Sequence, residues 1–338
     1  MIKLFLAEIH RFHSRAAMLW SFIAIILLAG MFIAGGYTSA RPPSPEVMDQ
    51  LRQSYEEDEK MYAEQSQMRV EECLEWPAEV IAEYRGYYGP GEEELNDEEF
   101  CEVFFEHIPT SFEDYAGTPA VFYEYYPQAF EWFSVGIILI ALTVGITFFT
   151  AEDSSGAIST WLTFEPRRVR VYFTKILAAM VSVIVPIIVA ILIFLAAMWA
   201  VYSHFDNLGV QPVDYWRDQW LQNIRILVLG VGFTGLGVVL GTIFKKPAVA
   251  LGVTFALTLL ANILPWALPY SPGLSTAAVI RGKVPYWVNE CHIESGFGYV
   301  CGPAMKQLTL QQGAINLLVL FAVVTVLGLL VFKRRDNN

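Results

Sequence analysis

Six uncharged apolar blocks constrain this chain more than any other feature: residues 16–37, 132–151, 176–202, 226–244, 248–268 and 314–332. An α-helix needs roughly 20 apolar residues to cross about 30 Å of hydrocarbon, and each block meets that length. Lys245, Lys246 and Pro247 separate the fourth block from the fifth. Paired lysines and a helix-breaking proline there read as a tight turn at a membrane face. The expected fold is an all-α polytopic membrane protein with six transmembrane helices. Composition agrees, because 55% of the 338 residues are hydrophobic and only 17% are charged, against about 25% charged in a soluble domain.

Orientation follows from the basic residues near span ends. Lys3, Arg11, Arg15, Arg167, Arg168, Arg170, Lys175, Lys245, Lys246, Lys333, Arg334 and Arg335 fall on one side, which places 12 of the 22 Lys and Arg on short segments there. The other ten are spread over longer, acid-rich segments. The first side is therefore expected to be cytoplasmic, with both termini inside and the chain in the bacterial inner membrane. The first block has 22 residues, longer than the 7–15 apolar residues of a signal peptide, so it is read as an uncleaved span.

Ahead of it, residues 1–15 read as an interfacial amphipathic helix. Ile2, Phe5, Leu6, Ile9 and Phe12 share one face, with Lys3, Glu8 and Arg11 placed elsewhere.

The net charge of −12 conceals a division. Residues 42–128 hold 23 Asp and Glu against Arg52, Lys60, Arg69 and Arg85, so the remainder of the chain is basic. Residues 38–131 are expected to form an acidic, mostly helical extracytoplasmic domain. Ser44 and Pro45 mark one helix start and Asn96 another. The acidity reads either as a solvated surface or as an attractor of cationic ligands. No basic patch suits nucleic acid.

All four cysteines fall on the expected outer side. Disulfides persist in oxidising compartments, and of the three possible connectivities the local one, Cys73–Cys101 with Cys291–Cys301, is expected. Neither pair has metal-finger spacing, so no metal site is expected. Residues 203–225 form an outer loop. Residues 269–311 form a second, rich in Pro and Gly, whose short apolar stretch 274–280 suits a re-entrant segment packed against protein. Residues 333–338 are a cytoplasmic tail.

No catalytic constellation is visible. The chain lacks a GxxxxGK motif followed by Ser or Thr, an HExxH and a GxSxG, so it is not read as an enzyme and binds no cofactor of its own. The glycines of the fourth block (Gly230, Gly232, Gly235, Gly237 and Gly241) suggest a close helix contact, within the chain or across a dimer.

The informative segment is the cytoplasmic loop 152–175. After Glu152, Ser154 or Ser155 can cap a short helix. Ile158, Trp161 and Leu162 give it one apolar stripe, and Pro166 ends it before Arg167 and Arg168. An apolar stripe at the membrane face needs cover, from lipid or from a soluble partner.

Glu152, Gly156, the Thr160-Trp161-Leu162-Thr163-Phe164 run, Pro166-Arg167-Arg168 and the charged re-entry at Lys175 resemble the coupling loop of permease subunits in bacterial ATP-binding-cassette exporters of the type-2 family. The order of parts is similar over nearly the whole chain; the large acidic domain departs from simpler members. The resemblance implies a permease homodimer, or a pair with a similar permease, working with two separate ATPase subunits that hold ATP and Mg. It implies that the helix around Gly156, Ile158, Trp161, Leu162 and Phe164 fits a cleft on the ATPase, with Glu152, Arg167 and Arg168 fixing register. Two other readings are a non-transporting sensor or scaffold whose acidic outer domain binds a cationic ligand, and a polytopic membrane enzyme. The second is weakened by the absence of a nucleophile, metal set or acid–base pair within the spans.

Overall fold

The computed structural model describes residues 2–81, 84, 96–105, 111–117, 119–158, 163, 167–263, 268–294 and 298–334. The chain divides into two compact units, Met1–Thr38 with Val121–Asn338, and Ser39–Ala120.

The larger unit begins with α1 (Ile2–His13) and continues through most of α2 (Ala16–Ala40). It resumes with α6 (Phe122–Ser154), α7 (Arg168–Ser182), α8 (Ile184–His204), α9 (Tyr215–Phe244), α10 (Pro247–Ile263), α11 (Pro272–Arg281) and α12 (Leu310–Arg334). Among the described residues five helical runs are long and apolar enough to cross a membrane: α2, α6, α7 with α8, α9 and α12. The fifth apolar block is occupied by α10, whose 17 residues are shorter than the other five runs. Helices α7 and α8 meet at Val183, three residues before Pro186, whose ring cannot coexist with a regular i−4 carbonyl bond.

Helices α6 and α9 form the closest pair. A Cβ placed on Gly145 would strike the Thr234 carbonyl, and one on Gly237 the Leu142 carbonyl. Gly241 approaches the Ile146 carbonyl, where a Cβ would lie 2.8 Å away. Small residues let helix backbones approach this closely, so the glycine contact expected from the sequence lies within the chain. Leu142, Ile146, Leu236 and Ala250 close the core beside it.

Within residues 269–311 the described residues form a short helix and a pair of strands. Ser271 caps α11 by accepting from the Leu274 amide at 3.1 Å, and Gly282 ends it with φ +89°, a conformation suited to glycine. A β-hairpin follows, β1 (Lys283–Glu294) paired antiparallel with β2 (Gly298–Thr309). This corrects the all-α expectation. The Leu310 amide then donates to the Gly282 carbonyl at 2.6 Å, so the hairpin leaves and rejoins the helices at one point. Asn316 holds α12 against this segment, donating to the Pro269 carbonyl at 2.9 Å.

The smaller unit contains α3 (Pro45–Leu74), α4 (Asp97–Phe104) and α5 (Phe112–Ala116). Ser44 caps α3 with Pro45 in its first turn, and Asn96 with Glu99 forms a capping box on α4. Cys73 and Cys101 are joined by a disulfide with a Cα separation of 5.8 Å. Phe100 and Ile81 pack beside it, with Val70, Trp76, Phe104 and Phe105 at the edge. Tyr115 of α5 donates to Asp58 of α3 at 2.6 Å.

Candidate functional site: a buried ionic cluster at the loop base

Glu152 occupies the last turn of α6, and Lys175 lies two turns into α7. The two residues flank the loop on either side, and their side chains form an ion pair. Lys175 also donates to both oxygens of Glu8 in α1, at 3.1 and 3.0 Å. Arg15, at the junction of α1 and α2, donates to Glu152 Oε1 at 2.7 Å and to the Phe148 carbonyl at 3.0 Å. Glu8, Glu152 and Lys175 are each only 1% exposed. Two carboxylates and two cations thus balance in the interior, and Arg11 stands 4.0 Å from Glu8 at the rim.

The apolar walls explain why the cluster holds together. The Phe12 and Phe148 rings meet edge to face at 4.9 Å, and Phe12 is buried. Arg15 Cζ lies 5.0 Å and Lys175 Nζ 5.4 Å from the Phe148 ring centroid, within the range of cation–π attraction. An ion taken out of water costs several kcal/mol, and only pairing with further hydrogen bonds offsets it. Burial pushes the Glu8 carboxyl above the ordinary carboxylate range; the Lys175 ammonium opposes this and the Glu152 charge reinforces it.

The sequence assigned Glu8 to a face away from the apolar stripe of α1. The structure corrects this: Glu8 is buried, whereas Leu6 is 56% exposed. Spacing carries a signal for it, since Phe5, Glu8 and Phe12 follow one another at i+3 and i+4. In the sequence Arg15 and Lys175 carry only local meanings, as an orientation marker and as the charged re-entry of the loop.

The loop residues are placed as follows. Ser155 ends α6, and Gly156 adopts φ +71°, where glycine avoids strain. Ile158 is buried at 4% exposure. Arg167 precedes α7 and is exposed. Arg168 donates to the Lys333 carbonyl in the last turn of α12 at 3.3 Å. Trp161, Leu162, Phe164 and Pro166 lie outside the described residues. The cluster therefore gathers α1, α2, α6 and α7 at the loop base, and Arg168 adds α12.

In the hairpin, the backbone register sets residue 291 directly opposite residue 301.

No curated protein matches the chain. Residues 9–337 match the family model described as ABC-2 family transporter protein, and the chain, with several apolar membrane-length helices, belongs to the ABC-2 transporter family as a multi-pass membrane component.

Proposed function

We propose that this chain is the transmembrane permease subunit of an ATP-driven exporter, coupling hydrolysis by a separate ATPase subunit to outward movement of a substrate. The observation that carries this reading is the ionic cluster at the loop base. Glu152 and Lys175 pair across the loop, and Glu8 and Arg15 bind that pair to α1 and α2. A displacement of the loop by a docked partner would be passed to four helices at once, because separating these buried charges costs more than moving them as a body. Gly156, Ile158, Trp161, Leu162, Phe164, Pro166, Arg167 and Arg168 are the residues proposed to meet the ATPase.

The proposed arrangement has six spans, with residues 248–268 as the fifth and α1 lying in the interface. Both termini and the loop face the cytoplasm of a bacterial inner membrane, which the distribution of Lys and Arg supports. The Cys73–Cys101 disulfide supports placing residues 38–131 in an oxidising compartment. The opposed positions of Cys291 and Cys301 support a second bridge on that side. Two such permeases, identical or similar, would work with two ATPase subunits that hold ATP and Mg.

The test is co-purification with the ATPase subunit. Trp161→Asp and Leu162→Asp each place a charge on the docking stripe and are expected to lower ATPase association and permease-stimulated hydrolysis at least tenfold. Unchanged association and hydrolysis in both variants would overturn the proposal.

A further inference from the structure

At the end of α9 remote from Lys245, a cavity of about 990 Å³ opens between α6, α9 and the end of α11. Beside it, a second cavity of about 540 Å³ is lined by residues of α7, α8, α9, α11 and α12 and is almost wholly apolar. One stripe of α9 serves both. Asp218, Gln222 and Arg225 line the polar cavity, and Leu229, Gly232 and Leu236 line the apolar one. These six follow at alternating i+4 and i+3 spacing, which keeps them on one helix face. The consecutive residues Val279 and Ile280 of α11 divide in the same way, one to each cavity.

The charges of the polar cavity are ordered along that stripe. Helices α6 and α9 run in the same direction past their glycine contacts, so Glu131 stands level with the turn that holds Arg225, and Glu124 stands nearer the outer end with Asp214 and Asp218. Glu131 is taken by Arg281 at 2.6 Å. Asp214 and Asp218 are taken by Arg217 at 3.1 and 3.3 Å. Among the described residues the Arg225 and Lys283 side chains have no hydrogen-bond or ion-pair partner, and both line this cavity. Glu124 has only the Tyr123 hydroxyl as a partner among these residues, and one Arg217 serves two aspartates. The Asp214–Asp218 end of the cavity therefore stays acidic, while its other end presents the unpaired Arg225 and Lys283 next to an apolar groove. From Arg225 to Leu236 the stripe runs about 16 Å along the helix.

We infer that these two cavities together bind a phosphate-headed amphiphile, its phosphate between Arg225 and Lys283 and its hydrocarbon chain in the groove beside Gly232. Arginine and lysine both bind phosphate, and a groove without polar lining receives only an apolar chain. As a substrate class this rests on the transport proposal. The binding itself is measured without an ATPase, so failure to bind and failure to transport are separate results.

The full-length chain, delipidated in a non-ionic detergent, is titrated by native mass spectrometry with dioleoyl phosphatidylethanolamine, with dioleoylglycerol and with inorganic phosphate. The phospholipid is expected to bind at least tenfold more tightly than either of the others. Arg225→Gln, which breaks no ion pair, is expected to lower phospholipid affinity tenfold or more. A Cβ on Gly232 meets nothing within 4 Å, so Gly232→Leu fills the groove without disturbing the fold and is expected to do the same. Equal binding of dioleoylglycerol would overturn the headgroup assignment, and equal binding of inorganic phosphate would overturn the chain assignment. Unchanged phospholipid affinity in both variants, or a change in oligomeric state alone with Gly232→Leu, would overturn the site as a whole.

Discussion

Lys175 donates to both carboxylate oxygens of Glu8 at 3.1 and 3.0 Å, although 167 positions separate them. The same ammonium pairs with Glu152, so one lysine serves two buried acids on two different helices. Arg15 completes the balance from a third position. The members of this cluster are not equivalent, and their substitutions should separate.

Lys175→Met keeps the bulk of the side chain and removes the shared charge. Glu8 and Glu152 would then stand buried beside each other, with Arg15 as the nearest remaining cation. Leaving buried charge uncompensated costs about 3–5 kcal/mol. The variant is expected to show a clear fall in thermal midpoint in detergent. Wild-type stability for Lys175→Met would mean that the cluster contributes little to the fold.

Glu8→Gln tests the opposite sign. The Glu8 carboxyl is raised above its ordinary 4.5, chiefly by burial. The stability it contributes is therefore fully present below pH 4.5 and is lost as pH rises through the raised value. Glutamine keeps a hydrogen-bond acceptor for Lys175 and does not titrate. Near pH 4.5 the variant and the wild type should unfold at similar temperatures, and Glu8→Gln should become relatively more stable as pH rises above that. Thermal midpoints measured across this pH range check it, and a constant gap would contradict it.

The glycines of α9 give a contrast within one helix. A Cβ at Gly237 falls on the backbone carbonyl of Leu142, whereas one at Gly232 meets nothing within 4 Å. Overpacking a tight contact costs about 1–3 kcal/mol, and replacing a helix-interior glycine by alanine in open space gains up to about 1 kcal/mol. Gly237→Ala is expected to lower the thermal midpoint, and Gly232→Ala to leave it unchanged or raise it. Equal behaviour of the two would show that α6 and α9 do not approach as closely as described.

The long helices were legible in the sequence because uncharged blocks of membrane length have few alternative structures. The hairpin was not, because Pro285, Pro303 and Gly298 read as loop residues; a two-stranded ladder tolerates them since each strand has a free edge. The ionic cluster was half legible. Glu152 stood out beside its loop, but Glu8, Arg15 and Lys175 each had an adequate local explanation as a polar-face residue, an orientation marker or a re-entry charge. Only tertiary contact between segments more than a hundred residues apart assigns them a common role. The same holds for Arg225, which reads as a span-end arginine until the cavity it lines is seen.

The cysteines give the last prediction, and it links fold to topology. Cys73 and Cys101 close a separation of 28 residues within the acidic unit, and a disulfide over a loop of this order stabilises by about 2–4 kcal/mol. Cys73→Ser should loosen the packing around Phe100 and Ile81, seen as faster proteolysis within residues 39–120, while the long helices of the other unit stay protected. Residues 291 and 301 face each other in the hairpin register, so the native protein is expected to expose no alkylatable thiol before reduction and four after it. Peptide mapping without reduction should recover the 73–101 and 291–301 pairs. Two free thiols at 291 and 301 would remove the second bridge and with it one support for the proposed outer placement of the hairpin.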